Sequence, residues 1–150
     1  MIPSSLIKHP APGWCGPVAL YHAIGCYQAV SFQVLDRPGP EGTDVPQMRK
    51  AARALGYRIR YVRRDTVRLA QLTIENELDA QHPVLLCVDR YAHWVVAIDY
   101  DANHLQICDG ENDGGEVLRL LTWREALGRI CIWHPGSTRF DLYPVMKGRK

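Results

Sequence analysis

No apolar run in the 150 residues approaches the ~18 needed to span a membrane, so no inserted helix is expected. Met1 to Gly13 lacks the apolar stretch of about 7–15 residues that marks a secretory signal. An excess of one charge is lacking too: 18 basic and 16 acidic residues leave +2, too little to name a partner. The five cysteines (Cys15, Cys26, Cys87, Cys108 and Cys131) are odd in number and well separated, with no C-x-x-C, which argues against a disulfide framework or a zinc site. No phosphate-cradling glycine loop, dinucleotide fingerprint, internal repeat or low-complexity tract occurs, so no cofactor and no metal are expected. What is present, 47% apolar and 23% charged residues, is the composition of one soluble domain with a core of its own, expected in the cytoplasm.

Punctuation divides the chain into a helical first half and a strand-rich second half. A first helix is expected from Trp14 or Cys15 to about Gln28, with Pro17 in its opening turn, where a missing N–H costs nothing. Residues 31–42, with Pro38, Gly39, Pro40 and Gly42, read as loop. Thr43 is the expected cap of a second helix ending near Gly56; Tyr57–Val62 reads as a short strand and 66–79 as a third helix. After Pro83 the runs PVLLCV, HWVVAIDY, HLQICD, EVLRLL and RICIWH are strands, interrupted by one short helix that Thr122 and Glu125 would cap. The order predicts an α+β fold, a helical lobe packed on an antiparallel meander. One domain is expected over 1–150, its core about 8–134, with 135–150 a carboxyl-terminal extension frayed at its end. From Arg49 to Arg68 there are eight basic residues against Asp65 alone; the face reads as solvated, and nucleic acid is an unlikely partner.

The chemistry starts at Gly13-Trp14-Cys15-Gly16-Pro17. A cysteine at a helix mouth meets free N–H groups and the positive end of the macrodipole, which stabilise a thiolate and later an oxyanion. Cys87, Cys108 and Cys131 sit in strand-like runs and Cys26 inside the first helix, all as packing residues. His93 opens an apolar strand, and Asp109 closes the next one sixteen residues on. A hairpin through Asp101–Asn103 brings them to one end, where the carboxylate can orient the imidazole as the third member of a triad. Asp113 is the weaker alternative, set deeper in a glycine-rich acidic turn. That turn lacks the spacing of a calcium loop and reads as a hairpin. Trp14, Trp94, Trp123 and Trp133 read as core or cleft wall; His22, His82, His104 and His134 as surface or packing residues.

Cys15-Gly-Pro-Val-Ala-Leu, His93-Trp-Val-Val and Ile107-Cys-Asp109, in this order and over this length, resemble the papain-like cysteine peptidases that cleave bacteriocin leaders after a double glycine. The likeness runs from about Lys8 to Trp133. It implies Cys15 as nucleophile, His93 as general base and acid, Asp109 as orienting acid, and a peptide or protein as substrate. Two departures stand out. Relatives carry a glutamine about six residues before the cysteine, whose amide donates to the oxyanion; here His9 stands there, either as a replacement donor through its ring N–H or as the sign of a degraded oxyanion hole. Gly110 follows Asp109 where proline is common.

Three readings follow. The first is a cysteine peptidase hydrolysing a peptide or isopeptide bond. The same triad also serves glutamine deamidation and acyl transfer. A pseudoenzyme binding a peptide or protein without turnover is the rival that His9 keeps open. Substrate sequence and oligomeric state are not legible.

Overall fold

The computed structural model describes residues 1–10, 13–29, 44–89, 93–111, 115–130, 132–134 and 137–148. The expected loop at 31–42, the Thr43 cap, Asp113 and Cys131 lie outside them. Four helices are described: α1 (Cys15–Gly25), α2 (Val45–Ala54), α3 (Val67–Asp79) and α4 (Trp123–Ile130). The strands are β1 (Tyr57–Ile59), β2 (Val62–Arg64), β3 (Val84–Val88), β4 (His93–Tyr100), β5 (His104–Cys108), β6 (Leu118–Thr122), β7 (Ile132–His134) and β8 (Ser137–Lys147).

Local chemistry sets the helix starts. Asp44 caps α2 through a reciprocal box: its Oδ1 accepts from the Gln47 N–H, and Gln47 Oε1 accepts from the Asp44 N–H, both at 2.8 Å. Thr66 Oγ1 caps α3 by accepting from Leu69 N–H at 3.2 Å. At α4 the expected pair operates, Thr122 Oγ1 accepting from Glu125 N–H at 3.1 Å and Glu125 Oε1 from Thr122 N–H at 3.2 Å. Alone among the four, α1 starts with no side-chain cap described: Gly13, in the left-handed region at φ +87°, delivers the chain, and no acidic residue sits in the first turn. Its first amides are left for other partners.

Among the described residues the strands join in the order β1-β8-β3-β4-β5-β6, with β2 and β7 also paired to β8, and all pairs are antiparallel. Two expectations are corrected. Residues 137–147, read as part of an extension, are a long strand between β1 and β3. The single strand expected over 57–62 is two, in one continuing register against β8. The break falls opposite Pro144, which has no N–H to give the ladder; only Arg60 N–H to Pro144 O, 2.9 Å, bridges it.

Every residue of β3 and the first six of β4 are buried, so both faces of the sheet are covered. On one face Leu20, Ala23 and Ile24 of α1 and Met48 and Ala52 of α2 pack with Leu85, Cys87, Val96, Ile98 and Val145. On the other, Ala70, Ile74 and Leu78 of α3 and Leu127 and Ile130 of α4 pack on Leu86, Val95, Ile107, Phe140 and Leu142. The helices are therefore divided between two faces rather than gathered in one lobe. In the basic stretch Arg60 pairs with Glu77, Arg63 with Asp65, and Arg64 donates to Thr73. No described helix is long and apolar enough to cross a membrane.

The amino-terminal segment runs along α1: Ser4 N–H donates to Gly25 O, Ile7 N–H to His22 Nε2 and His9 N–H to Gly110 O, each at 3.0 Å. His22 is fully buried, and burial, helped by the nearby His9 charge, depresses its pKa to about 4. Its Nε2 is an acceptor, so protonation also breaks the tie to Ile7. With the folded pKa below the ordinary 6.5, the neutral ring's stabilisation is complete above about 6.5 and is lost as pH falls toward about 4. The loss is on the order of 3 kcal/mol. Urea unfolding at pH 7 and pH 4.5 is expected to show most of it, and His22→Gln is expected to flatten that acid limb.

Candidate active site

Cys15 is the first residue of α1, His93 the first of β4, and Asp109 directly follows β5. The expected hairpin forms, with Val96 opposite Cys108 and Tyr100 opposite Leu105, so the start of one strand and the end of the other share one edge of the sheet. α1 crosses β4 there and brings the thiol to the imidazole.

His93 Nε2 lies 2.7 Å from Asp109 Oδ1, with both side chains buried. That leaves Nδ1 as the ring nitrogen for the thiol. Asp109 is further held by the Glu111 N–H on Oδ1 at 3.0 Å and by Arg119 Nη1, 3.5 Å from Oδ2. Burial raises the Asp109 carboxyl, but the His93 hydrogen bond and charge and the Glu111 amide outweigh it, and the group stays below the ordinary carboxylate range.

The two reacting groups shift in opposite directions. Burial works against ionising Cys15, yet the His93 side chain, the N–H groups of Trp94 and Gly16 and the His93 charge together bring the thiol below its ordinary 9.0. Burial likewise disfavours charging His93, but the hydrogen bonds to Asp109 and Cys15 and the charges of Asp109 and Glu111 raise it to about 9. Both shifts run in the direction that favours a thiolate–imidazolium pair. Cys26, Cys87 and Cys108 go the other way, burial pushing each to about 12.

His9 reaches the same neighbourhood from the Asp109 side. Its ring centroid is 5.6 Å from that of His93, and a Cβ on Gly110 would sit 2.6 Å from His9 Cδ2 and 2.7 Å from Val18 Cγ1. Only glycine lets the Asp109 turn come this close to α1 and the amino-terminal segment. Trp94 and Trp123 are buried, as expected of core residues. Two groups escaped the sequence reading: the Trp94 N–H on the thiol, which no side-chain pattern reveals, and Glu111. The carboxylate of Glu111 lies 2.9 Å from His93 Nδ1. Its one signal was its place two residues beyond Asp109.

The chain matches no protein-family model and no curated protein. Solved structures do resemble it. The peptidase domain of Streptococcus ComA, a bi-functional ABC transporter involved in a quorum-sensing pathway, superposes with a TM-score of 0.67 at 18% identity over 96% of this chain and 98% of that one. A double glycine motif protease from an AMS/PCAT transporter, solved with the leader peptide, gives 0.62 at 16% over 96% and 92%. The peptidase C39 like domain of a Vibrio parahaemolyticus toxin secretion ATP-binding protein gives 0.58 at 11% over 91% and 98%. The chain has the α+β, papain-like fold of these peptidase domains.

Proposed function

We propose that the protein is a single-domain cysteine peptidase of the cytoplasm, hydrolysing a peptide or isopeptide bond with Cys15, His93 and Asp109. The observation that carries this reading is the Cys15 thiol at the amino end of α1, against a histidine whose far nitrogen is 2.7 Å from a buried carboxylate. His93 takes the thiol proton on Nδ1, and Sγ attacks the carbonyl carbon. The oxyanion is held by amides at the start of α1, with His9 as second donor. Nδ1–H then protonates the leaving amine as the C–N bond breaks, and water, losing a proton to His93, releases the acyl group from the thioester. The double glycine motif protease solved with its leader peptide supports a peptide with such a junction as substrate.

The test is incubation with a synthetic leader peptide spanning a Gly-Gly junction, followed by mass spectrometry. Scission after the second glycine is the expected result. A mass change on a glutamine-containing peptide without scission would move the activity to deamidation or acyl transfer. Tight binding with no acyl-enzyme and no scission would favour the binding module, the reading that His9 in place of glutamine favours.

A further inference from the structure

We propose that Glu111 is a second positioning carboxylate for His93, holding the nitrogen that faces Cys15 while Asp109 holds the other, and so setting how far into alkaline pH the charged pair survives. The catalytic consequence rests on the peptidase reading; the assignment of Glu111 does not.

The geometry is a bracket made by one tight turn. Asp109 Oδ1 lies 2.7 Å from Nε2, and Glu111 Oε2 lies 2.9 Å from Nδ1, so the ring is gripped at both nitrogens by residues two apart. The Glu111 N–H donates to Asp109 Oδ1 at 3.0 Å, which ties the second carboxylate's backbone to the first. Gly110 between them permits the close turn, because any Cβ there collides with His9 and Val18. Nδ1 is buried, and the two groups that face it are the Cys15 thiol and the Glu111 carboxylate, the latter at 2.9 Å. The Glu111 side chain is 61% exposed, so it can swing aside when a leaving amine needs that nitrogen.

The other charged or titratable groups around the ring leave this role open. Asp109 is buried and ionised well below neutrality, so its charge is constant over the range in question. Cys15 supplies the opposing thiolate from α1, and Cys87 on β3, pushed to about 12, stays neutral. Asp89, at the end of β3, is spent on Arg129 of α4, 2.9 Å away, and Arg119 of β6 faces Asp109. His9 and, behind it, His22 can contribute only positive charge, which would lower rather than raise the His93 value. Glu111 is thus the adjustable anion on the reactive side of the ring.

An ionised carboxylate opposes loss of the imidazolium proton, so removing it moves that loss to lower pH. The experiment follows the His93 ring by carbon-13 NMR against pH in the wild type, Glu111→Gln and Glu111→Asp, with the resonance assigned by its disappearance in His93→Gln. In Glu111→Gln the midpoint, near 9 in the wild type, is expected to fall by about one pH unit, leaving roughly tenfold less imidazolium on the alkaline limb. Glu111→Asp, with the charge on a shorter arm, is expected to keep part of the elevation. An unchanged midpoint in Glu111→Gln, or equal midpoints in the Gln and Asp variants, would overturn the assignment. The alkaline limb of kcat/KM is expected to follow the midpoint. A midpoint that moves in a protein cleaving nothing would uphold Glu111 while removing the peptidase.

Discussion

Cys15→Ala is expected to lower kcat/KM for peptide cleavage by roughly 10⁴- to 10⁶-fold, and His93→Ala to lower it about as much, because nucleophile and base act as one unit. The double variant is expected to be hardly worse than either single one. Alkylation separates the two roles. Wild-type Cys15 is expected to react with iodoacetamide at a pH where Cys26, Cys87 and Cys108, each pushed to about 12, do not. In His93→Ala burial is left opposed only by the Trp94 and Gly16 amides, so the onset of labelling moves alkaline, toward that of the other cysteines. The pH profile has a worked sign. Activity rises as Cys15 ionises below its ordinary 9.0 and falls as His93 loses its proton near 9, giving a bell with its alkaline limb there. Rate measurements from pH 5 to 10 with peptide mapping of the labelled protein check both. A Cys15→Ala protein that still turns over, or a Cys15 labelled no faster than its buried neighbours, would end the proposal.

How much of this was legible in the sequence depends on whether the signal was local. Cys15-Gly-Pro after a glycine, His93 opening an apolar strand and Asp109 closing the next are short-range patterns, and a two-strand hairpin converts their spacing directly into proximity. That register brings His93 and Asp109 to one edge of the sheet, where the carboxylate lies 2.7 Å from Nε2. Glu111 was not legible, because its reach to Nδ1 depends on how sharply the chain turns at Gly110. That in turn depends on His9 and Val18, a hundred residues away in sequence. His9 shows the same limit from the other side. The family resemblance marked it as unusual, because relatives carry a glutamine there, but only the fold shows its backbone tied to Gly110 and its ring beside His93. Helix placement fared likewise: the 3.6-residue pattern locates α3, yet which face it covers is decided by β3 and β4, buried on both sides.

The largest error of that reading concerned the carboxyl end, and it yields the second strong expectation: a chain ending at His134 will not fold. Residues 137–147 resemble a tail because Pro135, Gly136 and Pro144 punctuate them and a proline demotes a strand to an edge. Yet β8 lies between β3 and the β1–β2 ladder, and Phe140, Leu142, Val145 and Met146 are buried. Burying four such side chains is worth on the order of 10 kcal/mol, comparable with the whole stability of a domain, about 5–15 kcal/mol. Without β8 the backbone of β3 has no partner on that side, and β1 and β2 have no ladder at all. The truncated chain is expected to lack a cooperative urea transition and dispersed amide resonances. Leu142→Ala asks the same question of a protein that still folds. With Leu142 at 0% exposure between Val62 and Leu86, its truncation is expected to cost about 2–5 kcal/mol, read as a lower urea midpoint at unchanged slope. Since β8 carries no residue of the Cys15–His93–Asp109 set, cleavage by folded Leu142→Ala at low temperature is expected to match the wild type. A large loss of activity without loss of stability would mean that β8 shapes the cleft as well as the core.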